Sequence, residues 1–261
     1  TFNSGFKKKR EDLLIIIFDK TINVSCKYSL TSMPSAPIIW DKKNNKGKCR
    51  ALIINSGNAN AYTGIVGLNN IEKYTKELAD YLSCSKKEIL VSSTGVIGEQ
   101  LNPNLICKKI SKLSLANNKM LIDAARSIWT TDTFVKTSIH KIKIKNQNIK
   151  IYGFAKGSGM IQPNMGTMLV YIFIECLLTK NELKKLIKIN TEDSFNSISI
   201  DSDTSTSDTL MLFSISKNKI NLKNKKNFNS ISKALFNLMQ DLSKQIVGDG
   251  EGVSKIIEVN V

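Results

Sequence analysis

Apolar and polar positions along the chain form short alternating or continuous apolar stretches typical of strands, with longer stretches of helical spacing between them. Strands are predicted over 13–18, 51–55, 88–94, 134–145, 148–155, 167–174, 195–201 and 209–216. Helices are predicted over 69–82, 103–115, 119–129, 179–189 and 228–246. Some strands follow one another directly and others are separated by helices. The pattern therefore favours an α+β fold, a layered sandwich of mixed sheets covered by helices, over a doubly wound sheet.

The length and continuity of the chain indicate how it is divided into domains. A chain of 261 residues can bury the core of one large domain or two small ones. It holds no internal repeat and no linker rich in proline or glycine, and 217–227 is a polar loop. We therefore expect 1–261 to form a single folding unit.

The apolar runs are too short for a membrane protein. The longest, such as 13–18 and 168–174, fall far short of the roughly 20 residues that cross a bilayer, and no stretch is typical of a signal peptide. The expectation is a soluble, cytoplasmic protein without a membrane partner. The chain begins at Thr1 and not at Met, so a removed leader and an incomplete chain both remain open.

The formal net charge of +16 raises the question of a nucleic-acid partner. Only Arg10, Arg50 and Arg126 are arginines, and lysine is spread along the whole chain together with asparagine and isoleucine. Recognition of bases and phosphates would favour arginine. A solvated basic surface is therefore the better interpretation, and no nucleic-acid partner is expected.

Metal ligands are scarce in this sequence. The five cysteines are widely spaced and form no pair with metal-binding spacing, so reduced thiols are the expectation. The single histidine, His140, lies in a predicted half-exposed strand, where a histidine is usually a surface residue. We expect no metal site and no catalytic role for His140.

Four loops are rich in small polar residues and lie at the ends of predicted elements. They cover 55–64, 92–101, 201–209 and 248–255. Each alone is more often a turn than a site, because Gly, Asn, Asp and Ser are the ordinary turn residues. Together they predict the lining of one pocket, since functional residues concentrate on loops held by a rigid scaffold.

A single threonine, Thr167, stands between the glycine-containing segment 156–166 and a predicted buried strand. Its hydroxyl is a weak nucleophile unless a base takes its proton, and the sequence offers no obvious base. Cleavage before Thr167 would free its own α-amine, with an ordinary pKa of about 8, to serve as that base. Gly166 would help because glycine tolerates unusual backbone geometry. The alternative is that Thr167 simply begins a strand.

The stretch KGSGMIQPNMGTML, 156–169, closely resembles the self-cleavage segment of the ornithine acetyltransferase family, the bifunctional glutamate N-acetyltransferases of the acetyl-recycling arginine pathway. Further blocks of that family resemble, in the same order, 55–64, 92–98, 130–136, 201–209 and 249–259. The resemblance spans essentially the whole chain. Several long motifs in register make it specific.

The resemblance implies a precursor that cuts itself between Gly166 and Thr167 into an α segment, 1–166, and a β segment, 167–261. Both segments would stay in one layered fold like that of self-cleaving N-terminal-nucleophile enzymes. The implied reaction is ping-pong acyl transfer, in which Thr167 takes the acetyl group of N2-acetylornithine and glutamate collects it. No cofactor is implied, acetyl-CoA is left open as a second donor, and the implied assembly is a heterotetramer of two α and two β segments.

The matched motifs imply roles for individual residues. Thr167 would be the nucleophile and, through its amine, the general base. Thr94 and Gly95 match the oxyanion hole, where each donor is worth roughly 3 kcal/mol.

Three further residues match substrate-binding positions of the family. Lys156 suits the α-carboxylate shared by acetylornithine and glutamate. Thr130 matches a substrate-binding threonine, although Thr131 and Thr133 lie close enough to keep that choice open. Glu251 matches a glutamate that would meet the substrate's amino group.

The sequence departs from the family pattern in several places. Gly166 stands where alanine is usual, Tyr62 replaces a common cysteine, and 31–38 matches its block only partly. Family members also continue well beyond the block that ends at 259, with a segment that supplies an Asn and a Thr or Ser to the substrate site. Two interpretations of this chain therefore remain: it is a fragment of a longer protein, or it is a reduced variant with a more accessible pocket.

Two other functions are left open by the sequence. An amidase or aminopeptidase could use the same amino-terminal Thr167, since acyl transfer to water needs only a different acceptor. An inactive, uncleaved homologue lacking the C-terminal segment could instead bind acidic partners through its basic surface.

Overall fold

Seven strands form one mixed β-sheet in the computed structural model, which describes residues 1–113, 120–162, 168–203 and 205–259. The strands are β1 (Leu13–Tyr28), β2 (Lys48–Asn58), β3 (Ile89–Val96), β4 (Lys136–Ile144), β5 (Gln147–Lys156), β6 (Leu169–Ile174) and β7 (Thr209–Ser214). Their order across the sheet is β3-β2-β1-β7-β6-β5-β4. The pairs β2–β3 and β6–β7 are parallel, and the other neighbouring strands are antiparallel.

Helices connect and cover the strands. They are α1 (Ala36–Asn44), α2 (Gly64–Tyr81), α3 (Pro103–Ile110), α4 (Leu121–Ser127), α5 (Lys180–Thr191) and α6 (Lys225–Gly248), with short 3₁₀ turns at Lys86–Glu88 and Phe195–Ser197. Helix α5 begins at the predicted cap, where the Thr179 hydroxyl accepts the Glu182 N–H and the Glu182 carboxylate accepts the Thr179 N–H. None of the described helices combines the length and apolarity needed to cross a bilayer.

The two faces of the sheet bury different parts of the core. In β6, Val170 and Ile172 pack in the cluster that contains α5 and α6, whereas Tyr171 and Phe173 belong to an aromatic cluster on the other face. Helices α1, α2 and α3 cover β1–β3 through a third cluster. Because β6 is buried on both faces, its sequence is a continuous apolar run without alternation.

Most predicted elements are confirmed, and the α+β class with a mixed sheet under helices is confirmed as well. The described strands all join one sheet, where the pattern predicted more than one. The prediction of a strand over 195–201 was wrong. There the chain forms a 3₁₀ turn, because the Ser194 hydroxyl donates to the Asn190 carbonyl, the Ser197 hydroxyl donates to the Ser194 carbonyl, and Phe195 enters the core.

Two features have no counterpart in the predicted elements. Helix α1 was missed because it is short and has a proline in its first turn. Strand β1 extends to Tyr28 across the polar pair Asp19 and Lys20, with an irregularity between Ile17 and Ile22. The predicted ends of two helices, 114–115 and 119, and the start of a strand at Thr167 lie outside the described residues.

Candidate active site

A cavity of about 510 Å³ lies where the carboxyl ends of β2, β3 and β5 come together. The parallel pairing of β2 and β3 brings their ends to the same edge of the sheet. The cavity is lined by Lys7, Gly57, Thr94, Gly95, Val96, Thr130, Thr131, Lys156, Gly159, Met160, Asp201 and Glu251.

Five residues singled out by the sequence line this one cavity, although they come from four separate motifs. They are Thr94, Gly95, Thr130, Lys156 and Glu251. Gly166 and Thr167, the two residues of the predicted cleavage site, lie outside the described residues. The prediction that the small polar loops line one pocket therefore agrees with the structure for the residues that it describes.

Lys156 is the polar centre of the cavity wall. Its buried Nζ donates to Thr94 Oγ1 at 3.1 Å and to Thr130 Oγ1 at 2.9 Å. An ammonium group has three N–H donors, so the described partners leave one for a ligand. Each threonine hydroxyl accepts from Lys156 and therefore keeps its own hydrogen to donate.

The contacts distinguish the three threonines of the 130–133 motif. Thr130 binds Lys156, whereas the Thr131 hydroxyl lies 2.5 Å from that of Ser158. The Thr133 hydroxyl binds Asp249. Thr130 is thus the member of the motif that is joined to the lysine of the cavity.

Burial is the main influence on the charge of Lys156. It lowers the pKa of the ammonium group, and the nearby Lys136 acts in the same direction. The carboxylates of Asp132, Asp208 and Glu251 oppose the shift. A lysine with a lowered pKa holds its proton less firmly, so the binding of an anion would strengthen its charged form.

Two glycines allow strands β2 and β3 to approach each other at the cavity. Gly95 has φ +129°, and a Cβ there would lie 2.3 Å from the carbonyl carbon of Gly57. Gly57 also has positive φ, +111°. Only glycine fits this geometry without strain, so the backbone of Gly95 reaches the cavity without a side chain in front of it.

Asp132 connects the threonine motif to the lysine motif. Its Oδ1 accepts from Lys136 Nζ at 2.7 Å and from the Gly157 N–H at 2.9 Å, and its Oδ2 accepts from the Thr130 N–H at 3.1 Å. Burial favours the protonated acid, but the charges of Lys156 and Lys136 and these hydrogen bonds outweigh it, so the pKa of Asp132 lies below its usual range.

Lys136 links the same motifs to the end of α6. Its side chain is fully buried and forms ion pairs with both Asp132 and Asp249. Asp249 also accepts the Thr133 N–H at 3.0 Å. Two residues later, the Glu251 N–H donates to the Ser158 carbonyl at 2.7 Å, which fixes the position of Glu251 at the exposed rim of the cavity.

Lys7 is a cavity residue that the sequence did not reveal. Its Nζ donates to Ser56 Oγ at 2.9 Å and to the Trp129 carbonyl. Burial, then the charges of Arg10 and Lys156, lower the pKa of Lys7 to about 8 against the opposing charges of Asp12 and Asp132. No local motif marks Lys7, because its side chain is held by Ser56 and Trp129, which are distant in sequence.

Asp201 was also not singled out, although its block was. Its carboxylate accepts the N–H groups of Met160 and Ile161, the latter at 2.8 Å. The cavity thus carries two cations, Lys7 and Lys156, and two anions, Asp201 and Glu251. Such a mixture suits a small ligand with charges of both signs, such as an amino acid.

His140 lies outside this cavity. It is on β4, where its Nε2 is 2.7 Å from Asp241 on α6. Within the described ranges, no group of three or more His, Cys, Asp and Glu side chains has the arrangement of a metal site.

Comparison with known proteins first defines the class of the fold. The chain resembles the l-aminopeptidase d-ala-esterase/amidase of Ochrobactrum anthropi, a variant of the Ntn hydrolase fold, at a TM-score of 0.51 and 10% identity over 94% of this chain and 80% of that one. The ArgJ from Bacillus halodurans aligns at a TM-score of 0.57 and 32% identity, over 64% of this chain and 87% of that chain. The fold is thus a layered α+β fold like that of the Ntn hydrolases.

The sequence defines the family. The model of the ArgJ family matches residues 1–261, so the chain belongs to the ArgJ family. It is 38% identical to the arginine biosynthesis bifunctional protein ArgJ of Caldanaerobacter subterraneus subsp. tengcongensis over 99% of this chain. The chain spans 65% of the length of that relative. The resemblance found in the motifs is thereby confirmed.

Replacing Lys136 by Met should destabilise the protein strongly, because it leaves two buried carboxylates without their shared cation. We expect the free energy of unfolding to fall by about 3–5 kcal/mol, measured by urea denaturation. Lys141→Met, on an exposed position of the same strand, is the matched control and should change it by less than about 0.5 kcal/mol. Equal effects of the two substitutions would contradict the importance of the buried pairs.

Proposed function

We propose that this chain transfers an acetyl group from N2-acetylornithine to L-glutamate through an acetyl ester of Thr167, as expected for the ArgJ family. The observation that carries the proposal is the contact of Lys156 with the hydroxyls of Thr94 and Thr130 on the wall of the cavity. Residues matched to one family site from three distant motifs meet there within hydrogen-bond distance. A shared function of these residues accounts for that meeting.

The connectivity of the chain supports Thr167 as the nucleophile. Lys156 pairs with Leu169 across β5 and β6, so the segment between them leaves and re-enters the sheet at the same edge. Thr167 is two residues from Leu169, and consecutive Cα atoms are about 3.8 Å apart. A nucleophile two residues before Leu169 in the sequence is therefore compatible with a reaction at the cavity that Lys156 lines.

Self-cleavage between Gly166 and Thr167 is part of the proposal. It would give the α segment 1–166 and the β segment 167–261.

The proposed chemistry uses the freed amine of Thr167 as base. The amine takes the hydroxyl proton while Oγ bonds to the acetyl carbonyl carbon of acetylornithine, and the resulting ammonium returns the proton to the departing ornithine nitrogen. Glutamate's amine then attacks the ester in the reverse sense. During both steps the negative oxygen would be stabilised by the Thr94 hydroxyl, which retains a hydrogen to donate, and by the backbone of Gly95.

The charged residues of the cavity would orient both substrates. The third N–H of Lys156 would bind the α-carboxylate that acetylornithine and glutamate share. Thr130 would donate to the same group, and Glu251 at the rim would receive an amino group. The proposed reaction uses no cofactor. Three further points remain predictions: acetyl-CoA as a second donor, a cytoplasmic location, and an assembly of two α and two β segments.

Replacement of Thr167 by Ala tests the proposed function directly. We expect the wild-type protein to give two polypeptides that meet at Gly166 and Thr167 in intact-mass analysis, and to form N-acetylglutamate from acetylornithine and glutamate. Thr167→Ala should remain one chain of 29.1 kDa and form none. Hydrolysis of acetylornithine without transfer to glutamate would favour an amidase instead, and an uncut wild-type chain would overturn the proposal.

Replacement of Thr94 by Val tests the oxyanion role of its hydroxyl. Valine keeps the shape and removes the donor, so kcat should fall by about 10²–10³-fold with a much smaller change in KM. Thr94→Ser keeps the hydroxyl and should remain within about tenfold of the wild type. A loss confined to KM would assign Thr94 to substrate binding alone.

Lys7 should make carboxylate binding depend on pH. Because its pKa is lowered to about 8, Lys7 is a cation below that pH and becomes neutral above it. Inhibition by glutarate, a dicarboxylate without a titrating amine, should therefore weaken as the pH rises through about 8. Lys7→Met should bind glutarate weakly without this step, whereas Lys8→Met, on an exposed neighbour, should keep it. An unchanged pH profile in Lys7→Met would contradict the prediction.

A further inference from the structure

Lys7 brings a second ammonium group to the cavity, and its supports adjoin those of Lys156. The hydroxyl on β2 that accepts from Lys7 belongs to the cross-strand partner of Thr94. The carbonyl that accepts from Lys7 belongs to the residue just before Thr130. Thr94 and Thr130 are themselves the two hydroxyls bound to Lys156. The two ammonium groups therefore lie on adjoining supports in one cavity wall.

The backbone that carries Lys7 is fixed by Asp12, a buried carboxylate. Asp12 Oδ1 accepts from the N–H and the hydroxyl of Ser4, both at 2.6 Å. Asp12 Oδ2 accepts the N–H groups of Gly5 at 3.1 Å and of Lys7 at 2.8 Å. Both oxygens of one carboxylate thus hold this short segment in place. The position of Lys7 is therefore determined by the fold, and the residue is more than a mobile charge at the surface.

Gly57 gives that segment room to reach the cavity. A Cβ at Gly57 would lie 3.1 Å from the Cβ of Phe6 and 3.4 Å from the Cγ of Lys7. The stem of Lys7 thus passes directly over a glycine that lines the cavity. An ammonium group has three N–H donors, and the described partners of Lys7 use two of them. One N–H therefore remains for a ligand.

The two substrates of the proposed reaction differ in the charge of the side chain. Both have the α-carboxylate that is assigned above to Lys156. The side chain of N2-acetylornithine ends in an ammonium group, whereas that of glutamate ends in a carboxylate. A cavity that takes both in turn needs an anion for the first and a cation for the second. Among the described lining residues, Glu251 is such an anion and Lys7 is the remaining cation.

Building on the acetyl transfer proposed above, we propose that Lys7 selects glutamate as the acetyl acceptor by binding its side-chain carboxylate. The free N–H of Lys7 donates to one carboxylate oxygen, and the opposite charges strengthen that hydrogen bond. Although burial lowers the pKa of Lys7 to about 8, the group is mostly a cation at pH 7. Glutamine has nearly the same shape as glutamate but no side-chain charge. Lys7 therefore favours glutamate over glutamine.

A binding cycle in the full chain at pH 7 tests the inference. L-Glutamate and L-glutamine would each be titrated into the wild type and into Lys7→Met by calorimetry. We expect the wild type to bind glutamate at least about tenfold more tightly than glutamine, and Lys7→Met to lose that preference with its cation. Lys8→Met, on an exposed neighbour, removes the same charge outside the cavity and should keep the preference.

Kinetics separate this role from a general effect on the fold. Exchange of labelled ornithine into acetylornithine uses the donor half of the reaction alone, whereas formation of N-acetylglutamate also needs glutamate. We expect Lys7→Met to lower the ratio of N-acetylglutamate formation to ornithine exchange by at least about tenfold, mainly through the KM for glutamate. Lys7→Arg keeps a cation that binds carboxylates and should restore much of that ratio. An equal loss of both reactions in Lys7→Met would contradict the role.

The outcomes also separate this inference from the function on which it rests. A wild type that prefers glutamate to glutamine but forms no N-acetylglutamate would overturn the proposed function and support the binding role of Lys7. Equal binding of the two amino acids by the wild type, or an unchanged preference in Lys7→Met, would overturn that role. If circular dichroism shows that Lys7→Met does not fold, Lys7→Gln decides, because it keeps a donor for the Trp129 carbonyl. Loss of the preference then supports the role, and a preference equal to that of the wild type contradicts it.

Discussion

The candidate site depends on one buried cation, Lys136, held between the carboxylates of Asp132 and Asp249. An isolated charge at such depth would be very unfavourable, so the three groups must stay together once the chain folds. The two carboxylates belong to motifs that are far apart in sequence, and each also accepts backbone N–H groups at the cavity. The ion pairs therefore fix the relative positions of Thr130, Lys156 and the segment after α6, with little freedom left for the cavity wall.

The sheet supplies the second constraint. In each of the parallel pairs, β2–β3 and β6–β7, the two strands run side by side in the same direction, and the antiparallel β5–β6 pair places the end of β5 next to the start of β6. Lys156 pairs with Leu169, and Leu169 in turn pairs with Thr209. Cutting the chain between Gly166 and Thr167 would therefore leave both new ends attached to strands that remain hydrogen-bonded, which explains how one fold could survive its own cleavage.

Some elements and site residues could be predicted from the sequence and others could not, for physical reasons. Strands such as β6 were predictable because burial on both faces demands a continuous apolar run. The pattern FNSISID at 195–201 has the same local signal as a strand, but serine hydroxyls bond the backbone there and Phe195 enters the core. Lys156 could be predicted as a site residue because it lies in a recognisable motif. Lys7 could not, because it enters the cavity only through contacts made after folding, with Ser56 and Trp129.

A chain with one peripheral histidine can still perform acyl transfer if its own cleavage makes the base. After the proposed cleavage, covalent geometry would hold the amine of Thr167 next to its own hydroxyl, and the ordinary pKa of about 8 would suit turnover near neutral pH. The base would then be made once in the life of each molecule, whereas Lys156 and Thr94 would act in every cycle.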